Sequence, residues 1–299
     1  MACADQAEIG VAPGVPAAAR VEAALELEFE FDPAAGRTLL VASRQEAPLQ
    51  VVRAFALEDG SALAHMHNVS GGVLSGDHLE LRARVGAGAS AQLTTTGATR
   101  IYRAREFAPD SVQINQVTIA ENALLEYVPD AVIPFCGSRF RQQTTIQLSP
   151  GAGLFWWEII APGREARGEM FAFERMQLNL DIWTASRLIA SERICLEPHT
   201  IALPSLARLG DYRYWAGFYI CRVGVDPKTW LMAEQHLRDV VTGLDGEARW
   251  GVSTMASDGL LVRGLAREGR ALVQGLKGIW SAAKLLLYGR EALPPRKVY

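Results

Sequence analysis

The sequence of 299 residues lacks the patterns that identify several large classes of protein. Its four cysteines, Cys3, Cys136, Cys195 and Cys221, form no Cys-x-x-Cys pair, so neither a structural zinc site nor a disulfide-based fold is expected. No apolar stretch approaches the length of a membrane span. The first residues contain acids and no continuous apolar core, unlike a secretory signal. We therefore expect a reduced, cytoplasmic setting with no membrane partner.

The sequence also lacks a large excess of charge of either sign. It has 30 lysines and arginines against 33 aspartates and glutamates, which gives a net charge of -3. Nucleic-acid-binding proteins usually carry a basic surface, so the composition gives no reason to expect such a partner. No Gly-Lys-Ser/Thr follows the glycines near residue 71, which argues against a phosphate-binding P-loop.

Alternation of apolar and polar residues predicts a mainly β protein. Leu25, Leu27, Phe29 and Phe31 fall on one face of a strand, with glutamates on the other. Further short strands are predicted at 38–43, 50–55, 63–69, 79–85, 91–96, 112–119, 124–128, 144–148, 154–160, 176–183, 249–255 and 259–265. Many short strands separated by Gly/Pro-rich turns indicate an open, layered or helical β architecture.

Helical spacing of apolar residues appears mainly late in the chain. It predicts one helix over Lys228–Val241, which follows a proline at the first-turn position, and a second over Ala266–Tyr288. We therefore expect two helices in the C-terminal third. Residues 1–20 are rich in Ala, Pro and Gly and are expected to form a loose extension. Residues 21–299 are expected to form a single β-rich domain.

One carboxylate stands out because its predicted strand is otherwise apolar. Glu158 follows two tryptophans in the strand 154–160, where a buried charge is costly unless it meets a partner or water. A salt bridge to Arg164, Arg167 or Arg193 would satisfy this carboxylate. A water-filled passage through the β domain is the other solution.

The most specific pattern combines a glycine-rich turn with a threonine-rich segment. Gly71–Asp77 reads GGVLSGD and is followed, after an alternating strand, by Thr94–Arg103, which reads TTTGATRIYR. Further segments follow in a fixed order, namely Leu125–Asp130, Trp156–Glu158, Gly163–Glu169, Ser191–Arg193 and Pro294–Tyr299. Taken in this order, they resemble the UreD (UreH) family of urease accessory proteins over nearly the whole chain after Val21.

This resemblance implies a protein that is not an enzyme. UreD-like proteins act as scaffolds in urease maturation: they bind apo-urease and UreF, which holds the GTPase UreG that brings nickel. The resemblance implies a mainly β fold with two helices, internal water-filled passages for nickel, and no tightly bound cofactor. Matched onto this sequence, it places the expected lining of such a passage at Asp77, Thr99, Glu158 and Glu192.

The chemistry of nickel agrees with a lining made of oxygen atoms. Nickel(II) binds nitrogen and thiolate ligands tightly, so a site rich in cysteine and histidine would retain the ion. A passage needs binding that is strong enough for entry and weak enough for exit. Carboxylates, hydroxyls and water meet this condition, so nickel is expected only in transit.

Two regions have a local alternative to a role in transport or binding. Asp77 follows Gly76 and would commonly satisfy backbone N–H groups of its own turn. Arg100, Tyr102 and Arg103 form a cationic and aromatic cluster of the kind that favours protein interfaces, so we expect them to contact a partner. The alternative for this cluster is a solvated strand edge.

His65 and His67 support the best enzymatic alternative. The two imidazoles fall on the same face of a predicted strand, as in a cupin-like metal-dependent enzyme. Such a site also needs a nearby glutamate and a third histidine, whereas Asn68 and a Gly-containing turn follow here. The simpler interpretation is one buried, hydrogen-bonded histidine and one that is partly exposed.

Overall fold

The computed structural model describes residues 20–185, 187–244 and 246–295. The predicted extension lies outside this range except for Arg20, and so do the last four residues of the Pro294–Tyr299 segment. The described residues form 17 strands and two α-helices, and both helices lie in the C-terminal third. The mainly β class predicted from the sequence is confirmed.

Seven strands form the first sheet. In chain order they are β1 (Glu22–Asp32), β2 (Arg37–Gln45), β5 (His78–Val85), β8 (Ser111–Ile119), β11 (Arg139–Leu148), β13 (Arg175–Thr184) and β14 (Arg187–Leu196). Their spatial order is β14-β13-β11-β8-β5-β1-β2. The five central strands run parallel to one another, and the two edge strands are antiparallel to their neighbours.

Ten strands form the second sheet. Eight of them are β3 (Leu49–Ala56), β4 (Ala62–Asn68), β6 (Ser90–Thr95), β9 (Leu124–Tyr127), β12 (Gly153–Ile160), β15 (Tyr214–Arg222), β16 (Ala248–Thr254) and β17 (Gly259–Ala266). Their spatial order is β16-β17-β15-β12-β9-β6-β4-β3. Two short strands, β7 (Thr99–Ile101) and β10 (Val132–Pro134), pair with each other, and β10 also pairs with β12.

The chain winds between the two sheets as a flattened β-helix. From β5 to β13 it passes repeatedly from one sheet to the other, and each new strand except the short β7 adds in parallel to an earlier one in its sheet. In the second sheet this parallel run is β4, β6, β9 and β12. The layered and helical architecture expected from the sequence therefore has a defined topology.

Apolar side chains from the inner faces of both sheets form two separate clusters between them. The larger interlayer cluster contains Phe29 and Trp156, and the smaller interlayer cluster contains Phe140 and Met176. The outer face of the second sheet is covered by α1 (Pro227–Thr242) and α2 (Gly269–Tyr288), which form a helix–sheet cluster with it. The molecule thus has three layers, and the second sheet is buried on both faces where the helices cover it.

Both predicted helices are confirmed, and their ends have local explanations. The Asp226 side chain accepts a hydrogen bond from the backbone N–H of Lys228 at 2.7 Å and caps α1. In α2, a methyl group at Gly275 would lie 2.1 Å from the Trp250 ring. A glycine inside a helix costs about 1 kcal/mol relative to alanine. Here it allows the indole of Trp250 to pack against the helix.

Two of the longer strands, β14 and β15, were not predicted from the sequence. β15 is buried on both faces over most of its length, so it reads as a continuous apolar run. β14 is an edge strand with mostly exposed or partly exposed residues. In the described part of the chain, neither helix combines the length and apolar character needed to cross a membrane.

Candidate functional site

Polar side chains separate the two interlayer apolar clusters. They lie at alternate, inward-facing positions of six strands whose other inward residues are mostly apolar. On the first sheet and at its edge these are Gln113 and Asn115 of β8, Gln142 and Thr144 of β11, and Glu192 of β14. On the second sheet they are Glu158 of β12, Tyr219 of β15 and Arg263 of β17. We call these eight residues the polar row.

Direct hydrogen bonds connect the first half of the polar row. Gln113 Nε2 donates to Asn115 Oδ1 at 3.0 Å, and Asn115 Nδ2 donates to Thr144 Oγ1 at 3.0 Å. Gln142 Nε2 lies 3.5 Å from Thr144 Oγ1 and donates to Glu158 Oε1 at 2.5 Å. These bonds extend from an amide at one side of the interlayer space to a carboxylate at its centre.

Glu158 is held by an amide and has no arginine in direct contact among the described residues. Burial raises the pKa of Glu158 to about 7. The hydrogen bond from Gln142 opposes this shift, and the negative charge of Glu192 adds to it. At neutral pH this carboxyl group is therefore divided between its protonated and ionised forms.

Glu192 completes the second half of the polar row with partners from the second sheet. Tyr219 Oη donates to Glu192 Oε2 at 2.5 Å, and Arg263 forms an ion pair with Glu192 Oε1. Burial raises the pKa of Tyr219, and the Glu192 charge adds to the shift, so the phenol stays protonated and acts as a donor. The two carboxylates of the row thus have different partners, an amide for Glu158 and a guanidinium for Glu192.

A cavity lies at each end of the polar row. The first has a volume of about 290 Å³, and its lining includes His67, Thr95, Thr99, Gln113 and Tyr127. The second has a volume of about 370 Å³ and is lined mostly by apolar side chains, with Arg263 at its inner side. Gln113 belongs to both the polar row and the first cavity, and Arg263 belongs to both the polar row and the second. The row therefore spans the interlayer space from one cavity to the other.

The structure brings three of the four predicted lining residues to this region. Glu158 and Glu192 belong to the polar row, and Thr99 lines the first cavity. The salt bridge predicted for Glu158 is wrong for Arg164 and Arg193, because these arginines pair with Glu169 and Asp181. The positive charge that acts on Glu158 is that of Arg263, which nothing in the sequence indicated.

Asp77 has a local role in its turn. Its Oδ2 accepts a hydrogen bond from the backbone N–H of Leu74 at 2.8 Å, and its backbone N–H donates to the carbonyl of Leu74 at 3.1 Å. The side chain is 3% exposed, and burial raises its pKa. These bonds agree with the turn alternative considered for Asp77, and the residue is not among those that line the first cavity.

The two most specific sequence segments are hydrogen-bonded to each other. Val73 N donates to the carbonyl of Arg100 at 2.8 Å, and Tyr102 N donates to the carbonyl of Val73 at 2.9 Å. A Cβ atom at Gly72 would lie 2.5 Å from the Arg100 carbonyl oxygen, so only glycine permits this approach. The glycine-rich turn and the threonine-rich segment therefore form one wall beside the first cavity.

The predicted partner-binding residues differ in their exposure. Arg100 and Arg103 are exposed, and Arg100 Nη1 donates to the Gly71 carbonyl at 3.3 Å. Tyr102 is partly buried and packs edge-on against Phe135, with ring centroids 5.0 Å apart. The two arginines are accessible to a partner, whereas Tyr102 also supports the loop that carries them.

His65 and His67, the two histidines of the cupin-like alternative, do not belong to a cluster of metal ligands among the described residues. Within residues 20–185, 187–244 and 246–295, no group of three or more His, Cys, Asp or Glu side chains is arranged to hold a metal ion. His67 lines the first cavity, and the ring of His65 packs edge-on against Phe55 at 6.1 Å. In this described part of the chain, the glutamate and third histidine that a cupin site requires are not grouped with them.

Most of the polar row was missed by the sequence analysis, although a signal for part of it existed. Gln142 and Thr144 occupy consecutive inward positions of β11 between the apolar Phe140 and Ile146. A pair of polar residues at core positions of one strand indicates a polar interior at that level of the sheet. No sequence pattern indicated that Arg263 belongs to this site, because the strand order that places β17 beside β15 is seen only in the structure.

Comparison with known proteins assigns the chain to a family. Residues 21–299 match the family model described as the UreD urease accessory protein. A protein of Herpetosiphon aurantiacus named urease accessory protein UreD is 44% identical over 275 residues, covering 91% of this chain and 96% of the relative. A protein of Deinococcus radiodurans with the same name is 30% identical over 276 residues, covering 91% and 94%. The chain therefore belongs to the UreD family of urease accessory proteins.

Proposed function

We propose that this protein is a urease maturation factor that delivers nickel to apo-urease together with UreF and the GTPase UreG. It serves as the scaffold between UreF and apo-urease, while UreG joins through UreF. Nickel passes through the interlayer space along the polar row. The chain catalyses no reaction and keeps no resident cofactor. The observation that carries this proposal is a row of polar side chains that spans the interior between two cavities.

The ligands offered by the polar row suit an ion in transit. Its oxygen atoms come from amides, a threonine, a tyrosine and two carboxylates, and such ligands hold nickel(II) less tightly than thiolates or several imidazoles do. Cys221 lies in the larger interlayer cluster, but burial raises the pKa of its thiol well above the usual range. It therefore offers no thiolate that would trap the ion.

Glu158 is suited to binding and releasing a cation in turn. Its pKa of about 7 means that the loss of one proton gives it a negative charge at neutral pH, with little cost in free energy. A passing divalent cation displaces this proton, and the proton returns once the ion has moved on. Thr99, at the lining of the first cavity, supplies a hydroxyl near the start of the same route. Asp77 contributes through the shape of the turn beside that cavity.

The loop that carries Arg100 and Arg103 is proposed to contact a partner protein. The two exposed arginines stand on a segment fixed by hydrogen bonds to the Gly71–Asp77 turn, so they are presented on a rigid wall. Arginines on rigid surfaces are frequent at the centres of protein interfaces. Tyr102 supports this surface by packing against Phe135.

Urease activation in a strain with the gene deleted tests the proposed function. The full-length chain is expected to restore activity of co-expressed urease, and a pull-down from the same cells is expected to recover UreF and urease. Normal urease activity without the gene, or full rescue of the deletion by added nickel, would contradict the proposal. A metal retained by the isolated chain through both His65 and His67 would instead support the cupin-like alternative.

A further inference from the structure

Arg263 lies where the polar row meets the second cavity. On the second sheet, Glu158 is paired in register with Gly217, and Gly217 is paired in register with Arg263. These three residues therefore form one line across β12, β15 and β17 on the inward face. The middle position has no side chain, which leaves space between the carboxylate and the arginine.

The guanidinium of Arg263 reaches into this space. A Cβ atom at Gly217 would lie 2.8 Å from Arg263 Nη1, so the guanidinium occupies the volume that a larger residue would fill. It forms an ion pair with Glu192 and lies over the Tyr219 ring, with 6.0 Å between the guanidinium carbon and the ring centroid. Its charge also acts on Glu158. One internal cation thus serves both carboxylates of the row.

A second observation indicates that a polar guest belongs at this point. The Trp156 side chain is 0% exposed, and its Nε1–H has no hydrogen-bond partner within bonding geometry among the described residues. This N–H nevertheless lies close enough to Glu158 to lower its pKa. A buried donor outside good hydrogen-bond geometry is poorly satisfied, and an oxygen atom brought by water would complete its bonding. A hydrated cation brings such water.

We propose that Arg263 is a gate that takes the place of the passing cation. In the resting chain its guanidinium neutralises Glu192 beside Glu158, so a hydrated divalent cation meets only the partial negative charge of Glu158 and the positive charge of the arginine. For such an ion to pass, the arginine has to swing toward the second cavity, whose inner side it already lines. Its side chain is 40% exposed, which leaves room for this movement. The inference deepens the proposed function, because it names a residue that controls the same route.

Nickel binding by the purified full-length chain tests the gate. Equilibrium dialysis against Ni²⁺ is expected to show at least tenfold tighter binding by Arg263→Gln than by the wild-type chain, because both carboxylates lose their cation. Arg263→Lys, which keeps the charge, is expected to bind nearly as weakly as the wild type. The tighter binding should disappear in the double variant Arg263→Gln/Glu192→Gln. Arg267→Gln is the matched control, since Arg267 pairs with Asp211 at the surface.

Gly217→Ala keeps the test decisive if Arg263→Gln does not fold. Its methyl group would meet only the end of a flexible side chain, so it displaces the guanidinium with little strain elsewhere. Gly217→Ala should also bind Ni²⁺ more tightly than the wild type, by a smaller factor than Arg263→Gln. Wild-type Ni²⁺ affinity in both Arg263→Gln and Gly217→Ala would overturn the gate. So would tighter binding that persists in the double variant Arg263→Gln/Glu192→Gln.

The outcomes separate the gate from the proposed function. Binding is measured on the isolated chain, so wild-type affinity in the variants refutes the gate and leaves the role in urease maturation intact. Tighter binding in the variants, with no rescue of urease in the deletion strain by the wild-type chain, refutes the maturation role and leaves the gate.

Discussion

Glu126 and Glu158 lie on opposite faces of the second sheet and are satisfied in different ways. Glu126 faces the helices, where it accepts hydrogen bonds from Trp280 Nε1 at 2.6 Å and Lys284 Nζ at 2.8 Å. Glu126 and Lys284 are both 1% exposed, and the lysine also pairs with Asp59. Glu158 faces the first sheet, where the Gln142 amide donates a hydrogen bond to it and no ion-pair partner is found among the described residues.

This difference separates a structural carboxylate from one that is suited to transport. The Glu126–Lys284 pair is closed, since each charge has its partner and the helix covers both. Burial raises the pKa of both carboxyl groups, but Glu158 has no ion-pair partner among the described residues and stands beside a second carboxylate. Burial of a carboxylate therefore says little about its role, whereas the identity of its partners says much more.

The largest effect is expected from breaking the closed pair. Lys284→Met leaves Glu126 buried without its cation, which typically lowers the free energy of unfolding by about 3–5 kcal/mol. Urea unfolding of the purified chain measures this loss. Lys277→Met changes an exposed lysine on the same helix and should stay within about 0.5 kcal/mol of the wild type. Equal stability of the two variants would remove the contrast between the two faces.

The next effect concerns the pH dependence of stability at Glu158. The folded chain holds a proton on this carboxyl that the unfolded chain has released, so stability should fall as pH rises from about 4.5 to about 7. Glu158→Gln removes this contribution, which amounts to about 3 kcal/mol at neutral pH. Urea unfolding at several pH values should give similar stabilities at pH 4.5 and a more stable variant above pH 7.

A matched substitution on the outer surface controls for general effects of charge. Glu28→Gln alters a partly exposed glutamate that pairs with Arg84 on the outer face of the first sheet. Its difference from the wild type should vary little between pH 4.5 and 7. If the stability difference between Glu158→Gln and the wild type is equally independent of pH, burial does not raise the pKa of Glu158.

A smaller effect is expected at Asp77. Asp77→Ala removes the acceptor for the Leu74 N–H in a buried turn, which should lower the free energy of unfolding by about 1–3 kcal/mol. Urease activation by this variant should fall only as far as its folded amount falls. A loss of activation in a fully folded Asp77→Ala chain would instead return Asp77 to the lining of the nickel route.

The smallest effect on stability is expected at the exposed loop. Arg103→Glu should stay within about 0.5 kcal/mol of the wild type, because no ion pair of Arg103 is found among the described residues and the side chain is exposed. The same change should weaken recovery of UreF or urease in a pull-down. Unchanged recovery of both proteins would exclude Arg103 from the partner surface.

The sequence predicted most of the longer strands but missed β14 and β15. The residues of β1 and β5 alternate cleanly because only their inner faces are buried, whereas β15 is covered by the first sheet and by the helices. Alternation indicates burial on one face, so a strand buried on both faces lacks this signal, although β9 and β12 were still predicted as short apolar runs. The order in which the chain winds between the sheets could not be predicted from the sequence either, because parallel pairing joins residues that are distant in the chain.

For the candidate site, the sequence identified carboxylates but not their partners. Glu158 was visible because it interrupts an apolar strand. Gln142 and Arg263 come from strands that reach it only through the fold. The resemblance to the UreD family supplied Glu192 and Thr99, which residue patterns would not have selected. The hydrogen bonds and the ion pair that connect these groups are seen only in the structure.

Transfer of nickel into apo-urease by assembled complexes tests the central claim most directly. Complexes built on the wild-type chain and on Glu158→Gln are compared at equal amounts, with assembly checked by size-exclusion chromatography. The variant should assemble normally and activate urease at least fivefold more slowly, because an amide carries no charge for the passing ion. Wild-type activation by Glu158→Gln, and also by the double variant with Glu192→Gln, would contradict a nickel route along the polar row.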